Sequence, residues 1–486
     1  MGFVTVFLSP VLVSGFTTAG AVLIATSQLK HVFQVHPPPY DGFFDPVRTW
    51  VWIARHLGET NVASLVLTLA ACILLVGIDF VNKRFKGKLP IPIPAQFVVL
   101  GLGLLASYAL DLEHRFDVSV VGTIPAGFPA PRVPTLSGEQ IEAALVPATV
   151  LAVVSFAVSI SIGKTFAKEV GYVVRPNQEL LGLGVSNVVG SVFFCYPACG
   201  SLSRSVVTAG AGGVTPVNAL LSSAVVAIIV AFATKPFEIT PQAVLAAIIL
   251  VALKRLFLQA RELPALFKVK KADGLVWAFV FVAVLGLGVS NGLVAGVLFS
   301  LAVVVYKQLR PYTAVLGRFR GTRNYGPVAR FGAETSEWPR IKVVFYGADL
   351  FYGNVGRLAS SIDAFVDEAI TDYVVLDLSA AADADITAIK ALAALRTELA
   401  GRGVTLFISH PHKRILSLLA ALRLDELPDD ILFTETHDAC LAALAALESA
   451  ASVTQQPQQP LPSSSPSLPQ PRAVSGRVIT NYGSIQ

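Results

Sequence analysis

Ser201, Ser203 and Arg204 place two hydroxyls and a permanent cation within four positions of CYPACGSLSRSVVTAGAGGVTP (195–216), and long apolar runs lie on both sides. Hydroxyl donors beside a guanidinium are the chemistry of anion binding, since each donates hydrogen bonds and the Arg adds charge. An Arg at mid-bilayer depth costs on the order of 2.5–3.5 kcal/mol on insertion scales, so such a residue faces a cavity or a partner. PACGSLSRS reads as a chain break followed by a helix start. Gly200 or Ser201 is the candidate N-cap, and the NH groups from Leu202 to Arg204 are left without intrahelical acceptors. A helix N-terminus carries roughly half a positive charge, so a half-helix beginning inside the bilayer with Arg204 one turn in forms an anion site. AGAGG (209–213) then ends it. The alternative is that Arg204 reaches an interface or pairs with Glu179, the one carboxylate at the edge of the adjoining spans, while the serines pack helices.

The elements that must hold this stretch are membrane helices. Of 486 residues 54% are hydrophobic and 14% charged, with a mean hydropathy of +0.65, a balance that a water-soluble globule could hardly cover with polar surface. Apolar spans fall near 12–32, 62–82, 93–111, 144–167, 178–196, 216–234, 241–260, 273–289 and 291–307, while 201–212 is too short to cross. Lys and Arg concentrate in NKRFKGK (82–88), GKTFAKEVGYVVRP (163–176), KVKKADG (268–274) and YKQLRPYTAVLGRFRGTR (306–323). The positive-inside rule assigns these loops to the cytosol and the Pro- and Gly-rich loop at 112–142 to the opposite face. The apolar start lacks a basic n-region, so no cleavable leader is expected.

From about Val328 the pattern changes. IKVVFYG, YVVLDLS and VTLFIS read as buried strands, and VGRLASSIDAFVDEAI and ITAIKALAALRTELAGRG as amphipathic helices, the alternation of a soluble α/β domain. The expected division is a transmembrane domain over 1–310, a linker over 311–327, the α/β domain over 328–450, and a disordered Pro-, Gln- and Ser-rich tail over 451–486. Four cysteines form no CxxC pair, and SHPHKR (409–414) has two of the seven histidines without a third ligand, so no metal or other cofactor is expected. The net charge of +5 is spread over short loops, which argues against nucleic acid as a partner.

YVVRPNQELLGLGVSNVVGSVFF leading into CGSLSRSVVTAGAGG, then PQAVLAAIILVALKRLF and LRPYTAVLG, resembles the SulP anion transporters, called solute carrier family 26 in animals. SGFTTAGAVLIATSQLK resembles that family's fifth membrane helix, and the soluble domain resembles its STAS domain. The resemblance implies a multi-span helical fold of two inverted seven-helix repeats, arranged as a mobile core and a gate, with the anion held between two half-helix N-termini on the third and tenth helices. It makes the opening stretch the tenth helix, with Ser201, Leu202, Ser203 and Arg204 as one side of the site. It also places the first residues at the end of the fourth helix. The chain is therefore expected to be a fragment of a longer parent, without helices one to three and doubtful in activity by itself.

Further expectations follow from the same resemblance. Proton-coupled members carry a Glu on the eighth helix just before an SIxIxK segment, whereas FAVSISIGKTFAK has Val158 there, which cannot titrate and favours exchange over symport. Coupling through another residue remains the alternative. In the α/β domain, Asp385 and Thr387 match the STAS loop that opens a helix. Thr387 is a candidate phosphoacceptor, and helix capping by Asp385 is the simpler role. The implied activity is secondary transport or exchange of sulfate, chloride, bicarbonate or oxalate by an elevator movement in a bilayer, expected to be the plasma membrane, with a cytosolic STAS domain, a homodimer and cytosolic protein partners. The other reading is a non-transporting membrane scaffold acting through STAS. For an enzyme, no nucleophile and base pair or phosphate loop stands out.

Overall fold

The computed structural model describes residues 9–40, 42–85, 93–201, 204–205, 208–209, 213, 215–367, 369–422 and 428–454. Contacts divide the chain into two units, Met1–Val303 and Val304–Gln486. Among the described residues, the α-helices of six or more residues that precede the sheet are α1 (Pro10–Phe33), α2 (Asp45–Arg55), α3 (Val62–Arg84), α4 (Ala95–Leu110), α5 (Gly138–Val170), α6 (Pro176–Val192), α7 (Val217–Phe232), α8 (Gln242–Ala252), α9 (Lys254–Gln259), α10 (Glu262–Val269) and α11 (Lys271–Leu309). Among the described residues, five helical stretches are long and apolar enough to cross a membrane: Pro10–Phe33, Val62–Arg84, Gly138–Lys164, Gln242–Val269 and Lys271–Leu309. α2 is an amphipathic helix outside these five stretches.

Small and hydroxyl residues set the packing, as expected where lipid removes the hydrophobic drive between helices. Ala71 and Leu75 of α3, Val99 of α4, and Val244 and Ala247 of α8 form one buried cluster. Thr68 donates its hydroxyl to the Ser64 carbonyl at 2.9 Å and approaches that of Ala243 at 3.4 Å. α1 begins at Ser9, whose hydroxyl accepts from the Leu12 NH, and its Leu12 and Ala19 pack on Val276, Val280 and Val284 of α11.

The two apolar runs at 273–289 and 291–307 belong to one element folded back on itself. Gly288 has φ 80° and ψ 174°, which breaks the helix, and this backbone favours glycine because it has no Cβ. The halves then pack face to face through a GxxxG step. A Cβ on Gly292 would lie 2.4 Å from the Val284 Cα, and one on Gly296 would lie 2.8 Å from a Val280 methyl.

The second unit is a sheet in the order β2-β1-β4-β5-β6-β7, with β3 also on β1. The strands are β1 (Tyr312–Phe319), β2 (Tyr325–Pro327), β3 (Thr335–Ser336), β4 (Ile341–Gly347), β5 (Tyr373–Asp377), β6 (Thr405–Ser409) and β7 (Leu432–Phe433). β4 to β7 run parallel and β1 is antiparallel to β4. Helices cover both faces, which is why Val374, Val375 and Leu376 are all fully buried. On one face lie α12 (Val355–Phe365), α13 (Ile386–Gly401) and α14 (Lys413–Leu422), through Leu358, Ile362, Leu392 and Ile415. On the other lies α15 (Thr436–Thr454), through Ala439, Cys440 and Ala443 against Val343 and Val375.

One expectation is corrected. The supposed linker at 311–327 carries β1 and β2, because Val315 and Leu316 pair with Val344 and Val343 of β4. The tail expected from 451 lies outside the described residues from 455 onward.

Gly292→Leu is expected to wedge the α11 hairpin open at a cost of about 1–3 kcal/mol or more, by overpacking against backbone. The check is a lower melting temperature and loss of a monodisperse peak in detergent, with Gly20→Leu, where nothing lies within 4 Å of the added Cβ, as the tolerated control.

Candidate functional site

α6 ends in a strained turn. Phe194 takes φ 55°, in the left-handed region, and the Cys195 NH returns to the Gly190 carbonyl at 3.0 Å. Residues 195–200 then belong to no helix or strand. Two side chains hold this segment. Asn187 of α6 accepts from the Ala198 NH at 2.7 Å and donates to the carbonyls of Ala198 at 3.2 Å and Leu183 at 2.9 Å. Ser159 of α5 accepts from the Gly200 NH at 2.8 Å while donating to the Ser155 carbonyl at 2.7 Å. Gly200 lies so close to α5 that a Cβ there would sit 3.1 Å from the Ser159 Cα.

Immediately after these anchors the chain turns helical. The Ser205 NH donates to the Ser201 carbonyl at 2.9 Å, so Ser201 stands at the start of the turn that carries Arg204 and Ser205. Arg204 is exposed, and among the described residues no carboxylate pairs with it, Glu179 included. Leu202 and Ser203 lie outside the described residues. Val158 is half-buried on α5, one residue from the Ser159 contact with Gly200. The structure thus brings the Val158 turn of α5 to the chain break that precedes Arg204. Asn187 and Ser159 were not among the expected site residues. The available signal was a lone amide in the apolar run VSNVVGSVFF, since buried amides demand partners.

In the second unit, Asp385 caps α13. Its carboxylate accepts from the Ala388 NH at 2.6 Å and from the Tyr352 NH at 2.8 Å. Thr387 is exposed in the first turn of the same helix. A separate groove of about 650 Å³ is lined by Arg323, Tyr325, Asp377, His410, Thr436 and His437, among others. His410 Nδ1 lies 3.5 Å from Asp377 and 3.2 Å from the Thr436 hydroxyl. The Trp338 NH donates to the Tyr325 hydroxyl at 3.0 Å, and that hydroxyl meets His437 Nδ1 at 3.2 Å. Burial pushes Tyr325 well above the usual phenol range and the Cys440 thiol up to about 11. Burial, with Arg318 and Arg323, lowers His437, against the opposing pull of Asp438 and Glu435. Among the described residues no three His, Cys, Asp or Glu are grouped to hold a metal ion.

Comparison with known proteins identifies the class. The sulfate permease family matches residues 1–280 and the STAS domain matches 333–439. The chain belongs to the sulfate permease family, with a STAS domain after its helical membrane region. It is 39% identical to human solute carrier family 26 member 6 over 354 residues, 73% of this chain and 46% of that protein. It is 30% identical to mouse solute carrier family 26 member 10 over 453 residues, 91% of this chain and 67% of that one. The solved murine solute carrier 26 family member A9, an anion transporter in the inward-facing state, aligns with a TM-score of 0.82 at 30% identity, covering 90% of this chain and 71% of its own. The chain spans about half the length of the first of these relatives.

Asp385→Ala is expected to cost about 1–2 kcal/mol by removing a helix cap, read as a lower melting temperature of the full chain. For His437, folding lowers the pKa from its ordinary 6.5, so its stabilisation is complete above about 6.5 and is lost as pH falls below that value. The STAS transition should therefore melt lower at pH 5 than at pH 7. His437→Asn, which keeps an acceptor for Tyr325, should flatten that dependence.

Proposed function

We propose that the chain serves secondary transport of small inorganic anions across a membrane, with the turn from Ser201 to Arg204 forming one side of the anion site. The observation that carries this reading is Arg204, an exposed guanidinium with no carboxylate partner among the described residues, one turn into a helix that starts at Ser201 beside a chain break. Ser201 and Ser203 add hydroxyls, and the Leu202 to Arg204 amides add backbone donors. A site of this composition takes sulfate, chloride, bicarbonate or oxalate, and sulfate fits the family description best. Membership of a family whose solved murine relative is an anion transporter supports the class.

Val158 supports exchange over proton symport, because a hydrocarbon side chain beside the site carries no proton. An elevator movement of the unit holding Arg204 against α1, α3 and α8 is the accompanying mechanism. Residence in the plasma membrane, a homodimer, and recruitment of cytosolic proteins by STAS, with Thr387 as its phosphoacceptor, belong to the same proposal. The second reading is a non-transporting membrane scaffold acting through STAS.

The test is uptake of labelled sulfate into proteoliposomes loaded with chloride. Transport predicts saturable uptake that needs the internal anion, and Arg204→Gln should raise the half-saturating sulfate concentration about 10- to 100-fold, the size expected for a lost charge-assisted hydrogen bond. No uptake with sulfate still bound would favour the scaffold. Strong uptake driven by external acid, with no anion inside, would overturn exchange.

A further inference from the structure

Ser159 and Asn187 share a feature that ordinary helix packing does not require. The single Ser159 hydroxyl hydrogen goes to the Ser155 carbonyl, so its oxygen lone pairs are left to accept, and Gly200 supplies the NH. Both Asn187 amide hydrogens are used, on Leu183 and Ala198, and its oxygen takes the Ala198 NH. The amide therefore cannot be turned over without setting donor against donor. Two helices thus grip the backbone at 198 and 200 from two sides, and the helical turn begins one residue later. A segment outside helix and sheet leaves NH groups that would otherwise compete for a nearby anion, and these contacts take up two of them.

We propose that Ser159 and Asn187 are positioning residues of the anion site: together they clasp residues 198–200 and fix the place of Ser201 and of the turn bearing Arg204, so they set anion affinity and selectivity without touching the anion. The inference rests on the reading of Ser201 to Arg204 as an anion site. Gly200 completes the clasp, because a Cβ there would press on the Ser159 Cα at 3.1 Å along the approach that brings the Gly200 NH within 2.8 Å of Ser159 Oγ. Fixed donors favour an anion of one size, since a preorganised site does not re-form around another.

Cys199 is exposed and lies between the two clasped residues, so its reaction with a polar maleimide reports the clasp independently of anion binding. The experiment uses the full chain in lipid nanodiscs, with alkylation mapped by peptide mass spectrometry and with dissociation constants measured for sulfate and for chloride. Ser159→Ala and Asn187→Ala are expected to speed Cys199 alkylation severalfold, weaken sulfate binding about 5- to 10-fold, and narrow the sulfate-to-chloride preference. Ser159→Thr, which keeps the hydroxyl, should restore all three. A purely structural role would lower the folded yield yet leave the preference of the folded fraction unchanged, and that result overturns the proposal. Unchanged alkylation in both alanine variants overturns the clasp itself. Arg204→Gln separates the two readings: if it weakens sulfate binding while the clasp variants leave affinity intact, only the positioning role falls. If Arg204→Gln leaves sulfate affinity intact, the site reading falls, and the positioning role with it.

Discussion

A backbone that leaves its helix within an apolar span has to find hydrogen-bond partners for every group it frees, because lipid supplies none. That constraint organises the segment around residue 200. α6 stops at Val192, the chain turns through Phe194 in a left-handed conformation, and two side chains from neighbouring helices satisfy the backbone that follows. The turn bearing Arg204 exists because those partners allow a helix to restart there. The packing of α5 against α6, and the polarity of Asn187 within an apolar run, are consequences of the same demand.

The second unit obeys different rules. Its parallel strands are apolar on both sides because helices lie on both faces, and its polar groups gather where strands end: Asp377 as the last residue of β5, Ser409 as the last of β6 with His410 next to it, and Thr436 at the start of α15. The Ser409 and Thr436 hydroxyls meet at 2.9 Å in the interior, and Asp385 ties the start of α13 to Tyr352. Burial and satisfied polar ends, rather than small-residue packing, hold this unit together.

Periodicity and hydropathy made most of this legible. The spans at 12–32 and 62–82 coincide with α1 and α3, and IKVVFYG and VTLFIS with β4 and β6, because long apolar runs and alternating β-branched residues have few other uses. LRPYTAVLGRF was harder. It falls before the α/β alternation expected from Val328, where a linker is expected, yet Val315 and Leu316 pair with β4. β1 lies inside the sheet between β2 and β4, but only three of its eight residues are buried, so its apolar pattern is sparse and reads weakly. For the site, the types and order of Ser201 and Arg204 were legible because charge inside an apolar run is conspicuous. The anchors were not, since Ser159 and Asn187 act through backbone amides 41 and 11 residues away, and a sequence does not display which carbonyl or NH a side chain will meet. The capping role of Asp385 was legible because a helix start is a local event.

Gly200 lacks any torsion beyond its backbone, and it meets α5 with main chain against main chain. Most binding sites adjust to substitution by swinging side chains, so their dimensions drift with sequence. Here one partner of the contact has no side chain to swing, and the distance is set by the close approach and by the Ser159 hydroxyl that receives the Gly200 NH. The apolar surroundings can therefore diversify, while the Ser159 hydroxyl and the bare Gly200 keep the spacing between α5 and the helix start, like a gauge block in an instrument whose other parts are replaceable.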